Sequence, residues 1–471
     1  MSERARTQVS RRGFLAGTAA AAAATAVPAI GQAVAATPAA AAGTASAGRP
    51  NILLIVTDDQ PKHTDWAIQK TIGWIAGQGV KFTHGHVTTP LCAPSRSSVF
   101  SGRYAHNHGV RNNASAAALD QNTTVQRYLK QAGYRTGLFG KYLNSWKLAD
   151  APPHFEEFAL LQPAYVDANW NVDGTVQTIN GYTTNIIKNR TLAFLDKAAT
   201  DDRPWFAYVT PYASHGPRTP EPKYAGTAVP EWNGRPSVTE DDRSDKPPYI
   251  QNATGTLADG RRIRAEQLRT LLSVDDAVQA FKDKLAALGQ LENTLVIYIG
   301  DNGFGWADHG WTAKSVPYAP AHEVPFYVSW PAGGLSAGTV DDRIVANIDI
   351  APTILDAAGI SPDTPQDGSS LLTPYSRDHL LVEWWKQGTG ADHNTWSSYV
   401  AKDEQYVEYY ALHTDASGTV SGTGQVKFRE YYDLAADPYQ LTNKLYQATP
   451  AQERDLGIPA LAAQLAADRT R

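Results

Sequence analysis

Short apolar runs alternate with segments of helical periodicity along most of the chain. Runs of this kind, each followed by polar residues, predict strands that are buried on both faces, as in a parallel sheet. Six such runs are Asn51–Val56, Gly79–Phe82, Tyr134–Gly140, Trp205–Val209, Leu295–Ile299 and Val324–Trp330. The spacing of apolar residues predicts helices over residues 66–78, 122–132, 185–198 and 262–288. This alternation predicts an α/β fold with a large, doubly wound, mostly parallel sheet flanked by helices.

A different pattern begins near residue 375. Short segments there alternate aromatic or aliphatic residues with polar ones, as antiparallel strands do: His379–Trp384, Ser398–Ala401, Gln405–Tyr409 and Val426–Tyr432. A helical pattern follows them. We therefore expect a large domain over residues 50–374 and a small C-terminal antiparallel α+β subdomain over residues 375–471. Within the large domain, residues 216–260 form a long polar, proline-rich insertion.

The first residues have the pattern of an export signal. Ser10–Leu15 carries two consecutive arginines, and an alanine-rich stretch leads to a small-x-small cleavage pattern at Ala33–Ala35. The alternative is a membrane anchor, but threonine, proline and glutamine interrupt the stretch. We predict a twin-arginine signal peptide over residues 1–35 and a flexible leader over residues 36–49. The Tat export machinery would then deliver a secreted or cell-envelope protein.

Composition and charge narrow the function classes. Hydrophobic residues make up 42% and charged residues 19% of the chain, as is usual for a soluble globular protein. The net charge of -5 and the pI of about 6.2 give no basic face, so we expect no nucleic-acid partner. No segment after the leader is apolar enough to span a bilayer, so we expect no stable membrane insertion.

Cys92 is the only cysteine of the sequence. It cannot form an internal disulfide, and the ordinary alternative is a small buried hydrophobe. The neighbouring residues favour a reactive role for Cys92. Pro94 favours an extended backbone at the residue before it, Ser95 can cap a helix, and Arg96 adds a guanidinium. We therefore expect Cys92 just before a helix, at a place that suits an anion. An unpaired cysteine would otherwise be a redox liability in an exported protein.

The string Cys92–Arg96 matches the Cys-x-Pro-Ser-Arg motif of type I sulfatases. Flanking residues 87–91 and 101–103 resemble the same family, and further motifs follow in order over roughly residues 50–445. The resemblance implies that a formylglycine-generating enzyme converts Cys92 to 3-oxoalanine (formylglycine), whose hydrated aldehyde is the nucleophile. One hydroxyl of the hydrate would attack sulfur and release the alcohol. Loss of the second proton would then expel sulfate and regenerate the aldehyde.

Two polar pairs directly follow predicted strands. Asp58 and Asp59 come after the first strand, and Asp301 and Asn302 come after a late one. Oxygen ligands at strand ends suit Ca²⁺ or Mg²⁺, although solvated loop acids and an Asn-Gly turn are the alternative. The resemblance implies a Ca²⁺ site, with Mg²⁺ still open, whose ligands are Asp58, Asp59, Cys92, Asp301 and Asn302. Phosphatases and phosphonate hydrolases of the same alkaline-phosphatase-like superfamily tend to carry histidine in place of the asparagine.

The resemblance also assigns residues to the sulfate group and to the leaving group. It implies that Arg96 fixes the nucleophile and that Lys141 binds sulfate. His215 and Lys314 are the candidate acids at the ester oxygen. Taken singly, His215 could be a loop histidine packed on prolines, and Lys314 a solvated lysine. His309 lies closer along the chain to the second polar pair and competes with Lys314 for its role.

Two segments resemble the N-acetylglucosamine-6-sulfatase branch of the family. Gly140–Asn144 ends in asparagine where many sulfatases have histidine, and Tyr104–Val110 contains His106 and His108. These two histidines either line the pocket or, as we favour, pack as satisfied polar groups beneath the nucleophile helix.

The resemblance implies an exported sulfuric ester hydrolase that releases inorganic sulfate from sulfated sugars or aryl sulfates. An enzymatic alternative is a phosphonate monoester or phosphodiester hydrolase on the same scaffold. A second alternative is a secreted sulfoglycan-binding protein that has no catalytic activity.

Overall fold

The computed structural model describes residues 48–335, 337–386, 395–414 and 420–471. The predicted signal peptide at residues 1–35 and nearly all of the predicted leader lie outside the described residues. Among the residues that are described, no helix combines the length and the apolar composition that a bilayer crossing requires.

Within these described ranges, the large sheet contains ten strands. In chain order they are β1 (Asn51–Thr57), β2 (Val80–His86), β3 (Arg135–Gly140), β4 (Glu157–Leu161), β5 (Val166–Val172), β6 (Thr175–Tyr182), β7 (Trp205–Thr210), β8 (Thr294–Gly300), β9 (Phe326–Ser329) and β10 (Thr339–Ala346). Across the sheet their order is β10-β2-β9-β8-β1-β7-β3-β4-β5-β6. Strands β8, β1, β7, β3 and β4 are parallel neighbours, whereas β9 and the β5-β6 edge are antiparallel. The predicted mostly parallel α/β sheet is confirmed.

Side chains of β1 alternate between two apolar layers, one on each face of the sheet. Ile52, Leu54 and Val56 belong to one layer, and Leu53 and Ile55 belong to the other. None of them is more than 1% exposed. This double burial explains the continuous apolar run, because neither face of the strand meets water.

Helices flank the sheet. In chain order they are α1 (Gln69–Thr71), α2 (Cys92–Ser101), α3 (Ala105–His108), α4 (Val125–Gln131), α5 (Thr183–Ala198), α6 (Pro248–Gln251), α7 (Leu257–Ala287), α8 (Ala319–His322), α9 (Ile350–Ala357), α10 (Pro450–Asp455) and α11 (Ile458–Asp468). Helices α4, α5 and α7 confirm the helices predicted over residues 122–132, 185–198 and 262–288. Helix α7 begins earlier than predicted because Thr256 and Asp259 form a capping box.

The single helix predicted over residues 66–78 is wrong. The segment forms a 3₁₀ turn, then α1, then a π-helical turn. Asp275 of α7 accepts hydrogen bonds from the backbone N–H groups of Lys70 and Thr71 at 3.1 and 2.8 Å. A side chain of another element therefore caps α1 and sets where it starts.

The prediction omitted β4, β5, β6 and β10. Strand β6 lies at the edge of the sheet, and most of its residues are exposed, so it carries no apolar run. The turn between β5 and β6 contains Asp173 and Gly174 with φ values of 48° and 93°. This left-handed Asp-Gly pair is typical of a hairpin turn and was the available sequence signal.

The second sheet is antiparallel and lies in the C-terminal part of the chain. Its strands, in spatial order, are β11 (Leu380–Trp384), β12 (Trp396–Val400), β13 (Glu404–Thr414) and β14 (Val420–Asp433). The predicted C-terminal antiparallel sheet is therefore confirmed. The indole N–H of Trp396 donates to the carbonyl oxygen of Ser315 at 3.1 Å. The second sheet thus supports the loop that carries Lys314.

Candidate active site

The predicted site residues meet at the carboxyl ends of neighbouring parallel strands. Asp58 follows β1, Asp301 follows β8, and Lys141 follows β3. Strand β7, which ends at Thr210, lies between β1 and β3. Gly140 has a φ of 123°, and a Cβ there would collide with the carbonyl oxygen of Thr210. Only glycine permits this close approach, which sets the backbone position of Lys141.

Backbone contacts hold the loop that follows β1. Asp59 has a φ of 55°, and its N–H donates to Asp301 Oδ1 at 3.0 Å. The carbonyl oxygen of Asp59 accepts from the side-chain amide of Gln267 in α7 at 2.7 Å. The N–H of Asp58 donates to the carbonyl oxygen of Ala213 at 2.9 Å. These contacts fix two acidic side chains that are almost fully buried.

Cys92 is the first residue of α2 and is fully buried. The predicted start of this helix at a Ser95 cap is wrong, because Ser95 lies inside the helix. The helix starts early because Pro94, which has no N–H group, occupies its first turn. The N–H of Ala93 is satisfied by Asn113 Oδ1 at 3.0 Å, which removes another free donor of the helix start.

The thiol of Cys92 lies between carboxylates and an ammonium. Its Sγ is 3.4 Å from Asp58 Oδ1 and 4.0 Å from Asp59 Oδ1. Lys314 Nζ lies 2.7 Å from the same sulfur atom. Burial and the negative charge of Asp58 raise the pKa of Cys92 to about 12, against the opposing charges of the nearby lysines. The unmodified side chain is therefore a neutral thiol near neutral pH.

Arg96 lies one turn further along α2 and is fully buried. Its Nε donates to Asp301 Oδ2 at 2.8 Å, and its Nη2 lies 3.3 Å from Asp58 Oδ2. Its Nη1 donates to the hydroxyls of Thr210 and Tyr208 at 2.5 and 3.3 Å. Burial alone would lower the pKa of Arg96, but the charge of Asp301 contributes most to raising it above its ordinary value. The charged guanidinium therefore joins α2 to three strand ends.

Lys141 and Asp58 form a buried ion pair. Lys141 Nζ donates to Asp58 Oδ2 at 2.5 Å, and its side chain is 3% exposed. Burial would lower the pKa of Lys141, but Asp58 raises it above the ordinary value. Burial would raise the pKa of Asp58, but Lys141, followed by His215 and Arg96, brings it far below the ordinary value. Both side chains are therefore charged at neutral pH.

Lys314 and His309, the two candidates for one role in the site, lie in different surroundings. Lys314 Nζ contacts the thiol of Cys92 and the carboxylate of Asp59. His309 is buried elsewhere, where its Nδ1 hydrogen-bonds Glu240 Oε2 at 2.7 Å. Of these two residues, Lys314 therefore faces the thiol, and His309 anchors the insertion that contains Glu240.

The carboxylate of Asp59 has two further neighbours. Asn302 Nδ2 donates to Asp59 Oδ1 at 2.7 Å, and His215 Nε2 lies 3.7 Å from Asp59 Oδ2. His215 Nδ1 bonds the carbonyl oxygen of Gly216 at 2.7 Å, and the ring stacks on Tyr212. Because a carbonyl oxygen only accepts, Nδ1 carries a hydrogen and Nε2 faces the site. The side chain of His215 is 31% exposed, so solvent reaches it.

A compact group of possible metal ligands results from this arrangement. One ligand atom each from Asp58, Asp59, Cys92 and His215 lies within 4.8 Å of the others. From the sequence, His215 is predicted as a candidate acid at the ester oxygen and is not included among the metal ligands. Asp301 is not a member of this group, although it hydrogen-bonds the backbone N–H of Asp59. The buried carboxylate oxygens are the donor type that hard divalent cations prefer.

His106 and His108 do not belong to this group. His108 Nε2 hydrogen-bonds Ser98 Oγ of α2, and its Nδ1 accepts from the N–H of Val110, both at 3.1 Å. This confirms that His108 packs as a polar group beneath the nucleophile helix. His106 Nδ1 pairs with Glu383 Oε1 at 2.8 Å, so it too is held by a structural contact.

Several side chains that support the site were not predicted. Gln267 is fully buried in α7, where a polar residue interrupts the apolar periodicity, and that interruption was the available signal. Asn347 donates to Ser95 Oγ at 2.9 Å and accepts from the N–H of Thr88 at 3.0 Å. Asn347 and Ser95 are 252 positions apart, and no local pattern indicates their contact.

Comparisons with known proteins identify relatives of this chain. The family model for sulfatases matches residues 50–360, and the model for the N-sulphoglucosamine sulphohydrolase C-terminal region matches residues 307–465. The extracellular sulfatase SULF-1 homolog of Drosophila melanogaster is 32% identical over 367 residues, which is 73% of this chain and 33% of that protein. The N-acetylglucosamine-6-O-sulfatase of Bacteroides thetaiotaomicron is 25% identical over 484 residues, which is 86% of this chain and 84% of that protein.

The fold is shared with solved structures. The structure of BT4656 in complex with its substrate D-glucosamine-2-N,6-O-disulfate matches with a TM-score of 0.72 at 23% identity, over 88% of this chain and 97% of that chain. This chain spans only 33% and 48% of the two extracellular sulfatase homologs from Drosophila melanogaster and Caenorhabditis elegans, which are much longer. Because the sulfatase family model covers most of the large domain, we conclude that the chain belongs to the sulfatase family.

Proposed function

We propose that this chain is a sulfuric ester hydrolase that releases inorganic sulfate from sulfated sugars. The observation that carries the proposal is the surroundings of Cys92 at the start of α2, with Asp58, Asp59 and Lys314 around its sulfur atom. A buried thiol whose pKa is raised to about 12 is a weak nucleophile near neutral pH. Conversion of this side chain to 3-oxoalanine would supply a hydroxyl nucleophile at the same place.

A divalent cation fits the buried oxygen cluster. Asp58, Asp59, Asp301 and Asn302 are at most 2% exposed, and all four carry oxygen donors. We propose that these residues, together with the modified residue 92, hold Ca²⁺, with Mg²⁺ as the alternative. The bound ion would neutralise the sulfate and stabilise the negative charge that develops in the transition state.

The charges around the site suit an anionic substrate. Arg96, Lys141 and Lys314 balance the buried carboxylates, so a dication would make the site net positive. The two lysine ammonium groups can exchange a carboxylate contact for a sulfate oxygen. Arg96 is instead a positioning residue, because its contacts to Asp301 and Asp58 hold the ligands in place.

Lys314 and His215 are the candidate acids at the leaving oxygen. Burial would lower the pKa of Lys314, but Asp59 and then Cys92 raise it well above the ordinary value, so the ammonium carries its proton at neutral pH. His215 turns its Nε2 towards Asp59 and is partly open to solvent. The Lys314 ammonium can protonate the departing alkoxide of the sugar, and His215 can do so from Nε2 when both ring nitrogens carry hydrogen.

The substrate class that we propose is a 6-O-sulfated amino sugar, with aryl sulfates as surrogate substrates. Gly140–Asn144 supports this choice, because it resembles the N-acetylglucosamine-6-sulfatase branch. The Bacteroides relative, which matches 86% of this chain, is an N-acetylglucosamine-6-O-sulfatase.

We further propose that the protein is exported by the twin-arginine pathway. The arginine pair in Ser10–Leu15 supports the twin-arginine route. The similarity to the extracellular sulfatase SULF-1 homolog of Drosophila melanogaster supports export alone, by whichever route. The formylglycine-generating enzyme and the Tat machinery would then be transient partners during maturation.

The proposal is tested on protein co-expressed with a formylglycine-generating enzyme. The mass of the tryptic peptide that contains Cys92 is measured first, and we expect the aldehyde or its hydrate. Sulfate release from glucosamine 6-O-sulfate is then followed before and after chelation, and Ca²⁺ should restore the lost turnover. An intact thiol in fully active protein would overturn the formylglycine mechanism. A modified residue 92 with substrate binding and no turnover would favour the non-catalytic binding protein.

A second assay addresses the alternative hydrolase. The same protein is given nitrophenyl sulfate and a nitrophenyl phosphonate ester. We expect faster sulfate turnover, because Asn302 occupies the position where related phosphonate hydrolases tend to carry histidine. Faster phosphonate turnover would assign the chain to that alternative activity.

A further inference from the structure

Arg218 is a largely buried guanidinium with no hydrogen-bond acceptor among the described residues. Its side chain is 14% exposed, and its Nε is buried and unpaired. Its ion-pair neighbour, Glu266 Oε2, is 3.8 Å from Nη1, which is longer than a hydrogen bond. Glu266 also accepts hydrogen bonds from Arg262 at 3.2 and 3.4 Å. Leaving the buried Nε–H donor of a guanidinium unpaired away from water costs free energy.

Arg218 lies beside the segments that build the candidate active site. Its backbone N–H donates to the carbonyl oxygen of His215 at 3.1 Å. Its guanidinium carbon is 4.8 Å from the ring centroid of Phe304, which closely follows the polar pair after β8. Glu266 directly precedes Gln267, whose amide holds the loop after β1. The guanidinium is therefore surrounded by three segments that carry site residues.

Two further features distinguish Arg218, its backbone conformation and an aromatic contact of its side chain. Arg218 has a φ of 61°, a left-handed value that non-glycine residues rarely adopt. Residues in such conformations are concentrated at functional sites. Phe304 is 7% exposed, and the guanidinium carbon of Arg218 lies over its ring. A cation–π contact of this kind uses none of the N–H donors as hydrogen bonds, so they stay available to a ligand.

We infer that Arg218 binds a second oxyanion of the substrate, a sulfate or carboxylate that the sugar carries besides the ester that is cleaved. This inference rests on the proposed hydrolysis of sulfated sugars. The ester that is cleaved already has Lys141 and Lys314 as cationic partners near Cys92. The planar fork of a guanidinium forms two parallel hydrogen bonds with a sulfate or carboxylate. The site would therefore select sugars with two anionic groups.

Substrate pairs that differ by one oxyanion test this assignment. The full chain, matured with the formylglycine-generating enzyme, is assayed on glucosamine 6-O-sulfate and on D-glucosamine-2-N,6-O-disulfate. We expect Arg218→Gln to lower kcat/KM for the disulfate at least about tenfold more than for the monosulfate, mainly through KM. Arg218→Lys, which keeps the charge and loses the fork, should give an intermediate loss.

A second pair of substrates identifies the source of the oxyanion. It consists of 6-O-sulfated glucosamine linked to a uronic acid and the same disaccharide with its carboxylate reduced to an alcohol. If Arg218→Gln lowers kcat/KM selectively for the disulfate of the first pair, Arg218 binds an N-sulfate on the same ring. If it lowers kcat/KM selectively for the carboxylate-bearing disaccharide of the second pair, Arg218 binds the carboxylate of the neighbouring sugar. Both results support the inference.

Arg262→Gln is the matched control. Arg262 shares the partner Glu266, but its side chain is 57% exposed, so its removal should leave the substrate ratios unchanged. The inference is overturned if Arg218→Gln lowers kcat/KM for both members of each pair by the same factor while the thermal stability stays close to that of the wild type.

Binding measurements separate this inference from the proposed function. Calorimetric titration of the Cys92→Ala protein with glucosamine 2-N-sulfate and with glucosamine requires no turnover. Tighter binding of the sulfated sugar that depends on Arg218 would support the inference even in a protein that released no sulfate. If the wild type then released no sulfate, that result would argue against the proposed hydrolysis and would leave the role of Arg218 intact.

Discussion

Lys314 Nζ lies 2.7 Å from the Sγ of Cys92, although the two residues are 222 positions apart. The same ammonium contacts Asp59, so a buried positive charge is balanced beside a neutral thiol. If an oxygen nucleophile replaces the sulfur, this ammonium becomes a hydrogen-bond donor at the reacting group. Under the proposed function, the ester would therefore be cleaved beside this pair.

Replacement of Cys92 should separate folding from catalysis. We expect Cys92→Ala to fold and to lose at least about a thousandfold in kcat, because the nucleophile is removed. Cys92→Ser should lose nearly as much, since an ordinary hydroxyl cannot expel sulfate by returning to an aldehyde. Sulfate release and circular dichroism check both variants. Wild-type turnover in Cys92→Ala would exclude residue 92 as the nucleophile.

Replacement of Lys314 should depend on the leaving group. We expect Lys314→Met to lower kcat/KM for a sugar sulfate by about 10²–10⁴-fold, because an alkoxide needs a proton on departure. The loss should be smaller with nitrophenyl sulfate, whose leaving group departs without help. His309→Gln serves as control and should retain turnover within about threefold, because His309 bonds Glu240 away from the thiol. Equal losses with both esters would argue against Lys314 as the acid.

Removal of Asp301 should destabilise the fold through Arg96. Asp301→Asn takes away the carboxylate that accepts from Arg96 Nε at 2.8 Å, in a pair that is fully buried. We expect a loss of about 3–5 kcal/mol in the free energy of unfolding. Asp363→Asn breaks a pair with Arg127 in which Asp363 is 62% exposed, and should cost less than about 1 kcal/mol. Urea denaturation measures both, and similar losses would contradict the expected role of Arg96.

His108 should make the protein sensitive to mild acid. Burial, assisted by Arg103, lowers the pKa of His108 to about 3 in the folded chain. The unfolded value is about 6.5, so the unfolded chain binds more protons between these values and stability falls as pH drops. From pH 7 to pH 5 we expect this histidine to cost about 2 kcal/mol. Urea unfolding at both pH values should show a smaller loss for His108→Gln, whereas an identical loss would refute the assignment.

Several candidate site residues could be predicted because the sequence immediately around each of them is informative. Asp58 and Asp301 each follow a continuous apolar strand, and that arrangement fixes their place at one edge of a parallel sheet. Cys92 lies in a short motif of consecutive residues, which can be recognised without knowing any contact to a distant residue. These positions depend on local sequence and on the fold class alone.

Other features depend on contacts that no local pattern contains. Lys314, and not His309, reaches the thiol because Trp396 of the second sheet bonds Ser315 while the insertion binds His309 through Glu240. The start of α2 at Cys92 and not at Ser95 has a local and a tertiary cause, since Pro94 needs no acceptor in the first turn and Asn113 accepts from the N–H of Ala93. Hydrogen bonds to other segments thus contributed in both places.

The complete burial of Cys92 has a consequence for biosynthesis. A second protein cannot touch a side chain with 0% of its surface exposed, so an enzyme that oxidises this thiol would have to act before the residues around Cys92 pack. Folding and maturation would then compete in time, and the rate at which the large domain folds would set the interval in which the modifying enzyme can work. Under the proposed function, a chain that folds ahead of that encounter would keep its thiol and stay inactive for the rest of its lifetime.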